Sequence, residues 1–363
     1  MKRAAIQYAT DHSPLYELSS HKRMCVLLKC TMADLSVIRR DKGAMYSRFE
    51  TKDRYQSSLP ALLHKSRPVQ APQAVLAKVQ ARLMELLSRI ELPPYLYSAR
   101  RNCSYKTNAA EHVFGHSVAK IDVKKFYEST RASYIFRYYR DVLKCTPDIA
   151  HRLTEITCLE KRLPTGSPLS PIMSFLAYRE MFDELYKLAG DMGLKMTVYV
   201  DDVVVSGPGK ASGFIEPAKG IIGTFGLRAH KFSVIAAGAP IVITGVHQDA
   251  RGSTVPSGRH RKIRALKEEY KNATSDERRV TYLKALVGQY REAGDFIVNS
   301  RANAMVYQRL LDKFPAALKA SKKRRKGARV ARGRRRSAQP QASTAKVAVR
   351  TKPVFVPDTS TTI

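Results

Sequence analysis

The sequence predicts an α+β fold, an antiparallel sheet with helices on one face. Three observations predict it. Between residues 73 and 92, Val75, Leu76, Val79, Leu83, Leu86, Leu87 and Ile90 recur at three- and four-residue steps, and Pro93-Pro94 follow. That is the period of an amphipathic helix and a stop signal after it. Residues 117–123 read as a strand that ends at Asp122. Residues 195–206, KMTVYVDDVVVS, hold two β-rich runs (197–200 and 203–205) around Asp201-Asp202, which reads as a hairpin whose turn presents two adjacent acids.

The remaining elements follow in order. Residues 1–66 are mixed and basic with short apolar runs. Ser170-Pro171 opens a helix that runs to Gly190, with proline tolerated in its first turn. A helix around 214–225 and strands at 233–236 and 241–245 come after the hairpin. Residues 257–311 are rich in Lys and Arg with Tyr270, Tyr282, Tyr290 and Tyr307 interleaved, a pattern that suits basic helices tracking a duplex backbone, or a solvated helix face with core tyrosines. From 319 to 352 there are 14 Lys or Arg and no acid, so the segment reads as a basic tail unable to offset its ordering entropy.

Charge narrows the function. The 363 residues carry 64 Lys plus Arg against 31 Asp plus Glu, a net +33. Removing 319–363, which includes Asp358, takes away 14 − 1 = 13 and leaves +20, so the body itself calls for a polyanionic partner. No stretch of about 18 apolar residues marks a membrane span, and the N-terminus lacks the apolar core of a secretion signal. Five cysteines without a CxxC pair suit free thiols in a reducing cytoplasm. The expectation is a cytoplasmic protein that touches nucleic acid and no membrane.

Two ionised carboxylates side by side between apolar β-branched flanks repel each other and resist desolvation. A divalent cation relieves both, and an all-oxygen donor set suits Mg²⁺ or Mn²⁺. Asp122, at the end of another strand, is the natural third ligand to Asp201 and Asp202. Three carboxylates around two ions ~3.5–4 Å apart clamp an in-line phosphoryl transfer.

These residues also carry a family resemblance. Tyr199-Val200-Asp201-Asp202 resembles the YxDD signature of reverse transcriptases, and Asp122 followed by Phe126 and Tyr127 is similar to their first catalytic motif. Leu163-Pro-Thr-Gly166-Ser-Pro-Leu-Ser-Pro171 resembles the loop and helix between the two. The order is kept, with spacings of 44 residues (122 to 166) and 35 (166 to 201). Asn108-Ala-Ala-Glu-His112 and Ile243-Thr244-Gly245 are similar to the NAxxH and VTG elements of bacterial retron-type members. The likeness covers about residues 35–315.

The resemblance implies a right-hand polymerase: an extension at 1–34, fingers and the start of the palm at 35–115, palm at 116–250, helical thumb at 251–318 and disordered basic tail at 319–363. It implies an RNA-directed DNA polymerase, a nucleotidyltransferase that copies a structured non-coding RNA into DNA from dNTPs with two Mg²⁺. In the retron family the polymerase stays bound to its RNA–DNA product and serves antiphage defence, sometimes with a separate effector protein. Two rivals stand beside it: a defence polymerase making repetitive or untemplated DNA, and a catalytically silent RNA-binding scaffold.

The roles implied are specific. Asp122, Asp201 and Asp202 hold the metals. Tyr127, with Phe126 as its alternative, lies under the incoming sugar and excludes a 2′-hydroxyl. Arg67, or Lys65, grips the triphosphate, and Tyr199 belongs to the same substrate site. Lys231 is placed near the leaving pyrophosphate as a general acid, or is simply a strand-edge charge. Gly166 lets the backbone approach the nascent pair, and Thr165 replaces a Gln frequent in the family. Asn108 and His112, four apart and so on one helical face, are assigned to RNA recognition, or to an Asn near a helix start and a His satisfied by backbone. Thr244 and Gly245 are assigned to a strand end near the nucleic acid, or to a simple turn.

Overall fold

The computed structural model describes residues 7–50, 67–296 and 299–316, so Lys65 and the 319–363 tail lie outside the described residues. Helices α1 (His21–Leu28) and α2 (Met32–Arg40) come first, the second started by a capping box between Thr31 and Asp34. Strands β1 (Tyr46–Glu50) and β2 (Pro68–Pro72) form an antiparallel ribbon, with Tyr46 opposite Pro72. Then come α3 (Ala74–Leu87), α4 (Tyr105–Ala110), β3 (Ser117–Val123), α5 (Phe126–Ser129), α6 (Ala132–Arg137), α7 (Pro147–Thr157), α8 (Ser170–Ala177) and α9 (Arg179–Asp191). Strands β4 (Lys195–Tyr199) and β5 (Asp202–Gly207) make the acidic hairpin, followed by α10 (Ile215–Thr224) and β6 (Ala229–Ile235). A small sheet of β7 (Ile241–Ile243), β8 (Val246–Asp249) and β9 (Gly252–Thr254) precedes helices α11 (Ser257–Lys271), α12 (Asp276–Glu292) and α13 (Ser300–Asp312).

The central sheet has the order β4-β5-β3-β6 and is antiparallel at every pairing. Period-2 alternation sorts its residues. Ala119, Ile121, Val123, Val203 and Val205 enter the main core with the helices. Val118 and Val204 enter a separate cluster with Ala109, Ile241, Ile243 and Val246. Most helices pack on one face, as expected, but the opposite face is not bare. Where its residues are apolar, α4 and the small sheet cover it. Where they become Asp122 and Asp202, it opens.

Several boundaries differ from the sequence reading. The helix expected over 73–92 ends at Leu87, because 89–91 turn to pair with Tyr8: its N–H donates to the Arg89 carbonyl at 3.0 Å, and Glu91 N–H donates back at 2.9 Å. The helix expected over 170–190 breaks at Tyr178, where φ is −122°. That ring is buried and stacks 4.5 Å from Tyr134 and 5.9 Å from Phe126, so the break seats an aromatic in the core. The expected strand at 233–236 begins earlier, at Ala229, and the one at 241–245 ends at Ile243.

The C-terminal helices carry their own core of Ile263, Leu266, Tyr282, Leu286, Tyr290 and neighbours. Tyr290 and Tyr307 stack with centroids 5.6 Å apart. Two of the interleaved tyrosines, 282 and 290, are thus interior groups and not a nucleic-acid surface. Among the described residues, no helix is long and apolar enough to cross a membrane, and all five cysteines are free.

Candidate active site

The strand pairing brings the three acids together. Asp122 on β3 lies directly across from Asp202 on β5, and cross-strand partners put their Cβ atoms ~5 Å apart. Asp201 sits in the turn between β4 and β5, and its carbonyl accepts the Val123 N–H at 2.9 Å. Val200, first in that turn, has φ +62°, a left-handed conformation costly for a β-branched residue. Ser98, almost fully buried, holds it there by accepting the Val200 N–H at 2.9 Å. The local strain fixes where the two acids point.

Their electrostatics follow. Two carboxylates ~5 Å apart at an effective dielectric of ~20 repel by ~3 kcal/mol. Asp201 is pushed up to about 6, first by burial and then by Asp202 and Asp122, while Arg67 pulls it back. Asp202 is also raised, by burial and then by Asp122, against the pull of Lys120 and Lys231. Buried, mutually repelling hard oxygens are what a divalent cation would relieve, so the residues fit such an ion. Among the described residues no three acidic, His or Cys side chains already converge into a coordination shell. Asp122 is turned aside, its Oδ1 2.9 Å from His230 Nδ1 and its Oδ2 3.7 Å from Lys231 Nζ.

A bulge explains that second pairing. Between Lys120 and Asp122 the register of β6 slips by one residue, and Lys231 adopts φ +49°. The extra residue re-aims Lys231 toward the acids. It is an edge-strand charge as well as a neighbour of Asp122, so both readings of it meet in one place. His230 was not singled out from sequence, because an ordinary strand gives no sign of a bulge. Lys120 was missed too, although it stands two residues before Asp122 on the same face. Its Nζ donates to the Val242 carbonyl at 2.8 Å and ties β3 to β7.

Arg67 and Tyr127 are brought to this centre. Arg67 is close enough to Asp201 to lower its pKa. Tyr127 is half-buried, its hydroxyl raised by burial and then by Asp201 and Tyr199. Phe126 is buried against Tyr178 and Phe182, which removes it as the alternative ring. Tyr199 and Val200 line a recess of about 260 Å³ with Met84, Ser88, Ser98 and Pro168 among its other walls.

Gly166 departs from expectation. A Cβ there would lie 2.6 Å from Val69 Cγ1, 2.8 Å from the Gln70 carbonyl oxygen and 2.9 Å from its carbon. The glycine is needed for a close approach to β2 of this chain, where its N–H donates to Gln70 O at 3.2 Å. Thr165 Oγ1 adds a bond to the Pro68 carbonyl at 2.8 Å. Gly166→Ala is expected to destabilise the fold by ~1–3 kcal/mol, since backbone atoms must give way. Its urea midpoint checks this, and an unchanged midpoint contradicts it.

Asn108 and His112 are corrected outright. Their side chains are 0% and 1% exposed, so neither meets RNA directly. His112 bridges the strands, with Nδ1 2.7 Å from Ser206 Oγ and Nε2 2.7 Å from Thr197 Oγ1, side-chain hydroxyls where a backbone partner was expected. Asn108 Nδ2 donates to Thr244 Oγ1 at 3.3 Å, and Thr244 Oγ1 donates to the Tyr105 carbonyl at 2.8 Å. Thr244 and Gly245 form a left-handed turn with φ +43° and +84°, and Thr244 locks α4 to the small sheet. His112 also lies past the end of α4, at Ala110, so the two do not share a helical face.

Residues 56–228 match the family model described as reverse transcriptase (RNA-dependent DNA polymerase). The chain is similar to the Retron Se72 reverse transcriptase of Salmonella heidelberg (strain 579083-10), 27% identical over 39% of this chain and 38% of that one. It is also similar to the Retron Ec86 reverse transcriptase of Escherichia coli, 28% identical over 34% of this chain and 38% of that one. The matched stretch thus spans well under half of either relative. A foamy viral protease–reverse transcriptase solved with double-stranded DNA superposes with a TM-score of 0.42 at 15% identity, covering 86% of this chain and 46% of that one.

Proposed function

We propose that the chain is an RNA-directed DNA polymerase of retron type, copying a structured non-coding RNA into DNA. The observation that carries this is the register pairing of Asp122 with Asp202, with Asp201 in the adjoining turn and Arg67 and Tyr127 beside it.

On this reading Asp122, Asp201 and Asp202 hold two Mg²⁺ ions, for which Mn²⁺ can substitute. When bound, the ions supply Lewis acidity that activates a primer hydroxyl and neutralises phosphate charge. Arg67 offers a planar, bidentate donor to the incoming triphosphate. Tyr127 lies under the sugar, where its ring leaves no space for a 2′-hydroxyl. Lys231, presented by the bulge beside Asp122, donates a proton to the leaving pyrophosphate. Fingers at 35–115, palm at 116–250 and thumb at 251–318 enclose the RNA–DNA hybrid, and an effector protein acts with it in antiphage defence.

A primer annealed to a defined RNA template, with dNTPs and Mg²⁺, tests the reading. DNA whose sequence follows the template supports it. Repetitive DNA indifferent to template, or no DNA at all, rejects it. Tyr127→Ala is expected to cut discrimination against ribonucleotides by ~10–200-fold, the range a pocket filled by small apolar contacts commands. Competition between a dNTP and its ribonucleotide reads this out, and an unchanged ratio removes Tyr127 from the role.

A further inference from the structure

A second recess, lined by charged side chains, lies between α2 and α7. It is lined by Leu35, Ile38, Arg39, Lys42, Arg152, Glu155 and Ile156 and encloses about 40 Å³. At ~10–15 Å³ per water-sized group, that is room for about three such groups. Three of the lining side chains are cationic and one is acidic.

The acid is already engaged. Glu155 Oε2 pairs with Arg152 Nη1 at 2.7 Å, and Glu155 Oε1 lies 3.8 Å from His151 Nδ1. Arg39 and Lys42 have no such partner: among the described residues, no hydrogen bond or ion pair reaches either side chain. Lys42 is half-buried, and desolvation lowers its pKa against the weaker opposing pulls of Cys158 and Glu155. A partly desolvated ammonium that makes no direct ion pair, its nearest acid already bound to Arg152, is a cost that a fold does not keep without return. The apolar floor of Leu35, Ile38 and Ile156 belongs to the main core and holds the recess rigid.

We infer that Arg39, Lys42 and Arg152 form a docking site for a single phosphate group, supplied either by an RNA backbone or by free phosphate. The guanidinium of Arg39 offers a fork for two phosphate oxygens, and Lys42 offers a point charge at the back. About three water-sized places suit the exposed oxygens of a single phosphate group and leave no room for a nucleoside. None of its residues lies on β3, on β5 or in the turn that carry Asp122, Asp202 and Asp201.

The experiment uses the full chain and the variants Lys42→Gln and Arg39→Gln, with Lys187→Gln at an exposed lysine as control. In one arm, inorganic phosphate is titrated and the melting temperature read. The parent and the control are expected to gain stability with phosphate, and the two site variants to gain less. In the other arm, binding of a structured RNA is measured against salt. If an RNA phosphate fills the recess, the slope of log K on log salt falls by about 1 in Lys42→Gln. A lost phosphate response with an unchanged slope supports the site and assigns free phosphate as its occupant. Both variants matching the parent in both arms overturns the inference. Arg39 is exposed, so its substitution leaves the fold intact even if that of Lys42 does not.

Discussion

Replacing Asp201 with Asn is expected to abolish nucleotide incorporation while making the metal-free protein more stable. Loss of one hard oxygen ligand removes several kcal/mol of transition-state charge stabilisation, at least ~10³-fold in rate. The stability change has the opposite sign. Asp201 stands at about 6 where an ordinary Asp has 3.8, so at neutral pH its ionised form opposes the fold. Removing that charge is worth ~1–3 kcal/mol. Added Mg²⁺ should raise the melting temperature of the parent and leave that of Asp201→Asn unmoved, with RNA binding kept by both. An inactive variant that is also unstable would say that Asp201 serves the fold and not the chemistry.

Acid should bring out a second, hidden opposition. His112 is pushed down to about 4 from 6.5 by burial, with Lys195 adding to the shift. The unfolded chain then binds the extra proton between those values, so stability is lost as pH falls from 6.5 toward 4, by ~3 kcal/mol in full. Asp201 runs the other way: the folded state binds the proton first, and stability is gained as pH falls from about 6 toward 3.8. Asp202 is raised too and adds to that gain. In the parent, without divalent metal, the contributions of His112 and Asp201 nearly cancel. Asp201→Asn should therefore lose more stability on acidification than the parent, and His112→Gln should lose less. Urea midpoints at pH 7 and pH 4.5 check the pair, and the same acid dependence in all three proteins contradicts both assignments.

The meeting of the three acids was legible because local pattern fixes it. A β-rich run interrupted by Asp201-Asp202 has few other places to turn, and a strand ending at Asp122 can join it. The register that puts Asp122 opposite Asp202 is long-range, yet alternation alone forces both onto one face. What stayed illegible depends on which face finds a partner. Spacing gives no sign that Asn108 and His112 point into the sheet rather than toward a ligand. The strands β7 and β9 are three residues each, too short for a period to register. The bulge at Lys231, which also brings His230 to Asp122, is a property of pairing with β3 and not of β6 itself. The approach expected at Gly166 was to a nascent base pair, and only the folded chain shows that β2 lies against it.

The claim on which the rest stands is that the carboxylates of Asp122, Asp201 and Asp202 jointly hold divalent cations beside a nucleotide. Mn²⁺ binding to the full chain with primer, RNA template and a non-extendable dNTP complex, followed by electron paramagnetic resonance, addresses it most directly. The parent should bind two Mn²⁺ per chain, displaced by Mg²⁺, and Asp122→Asn and Asp202→Asn should each lose at least one. Equal Mn²⁺ binding by the parent and both variants would contradict the account.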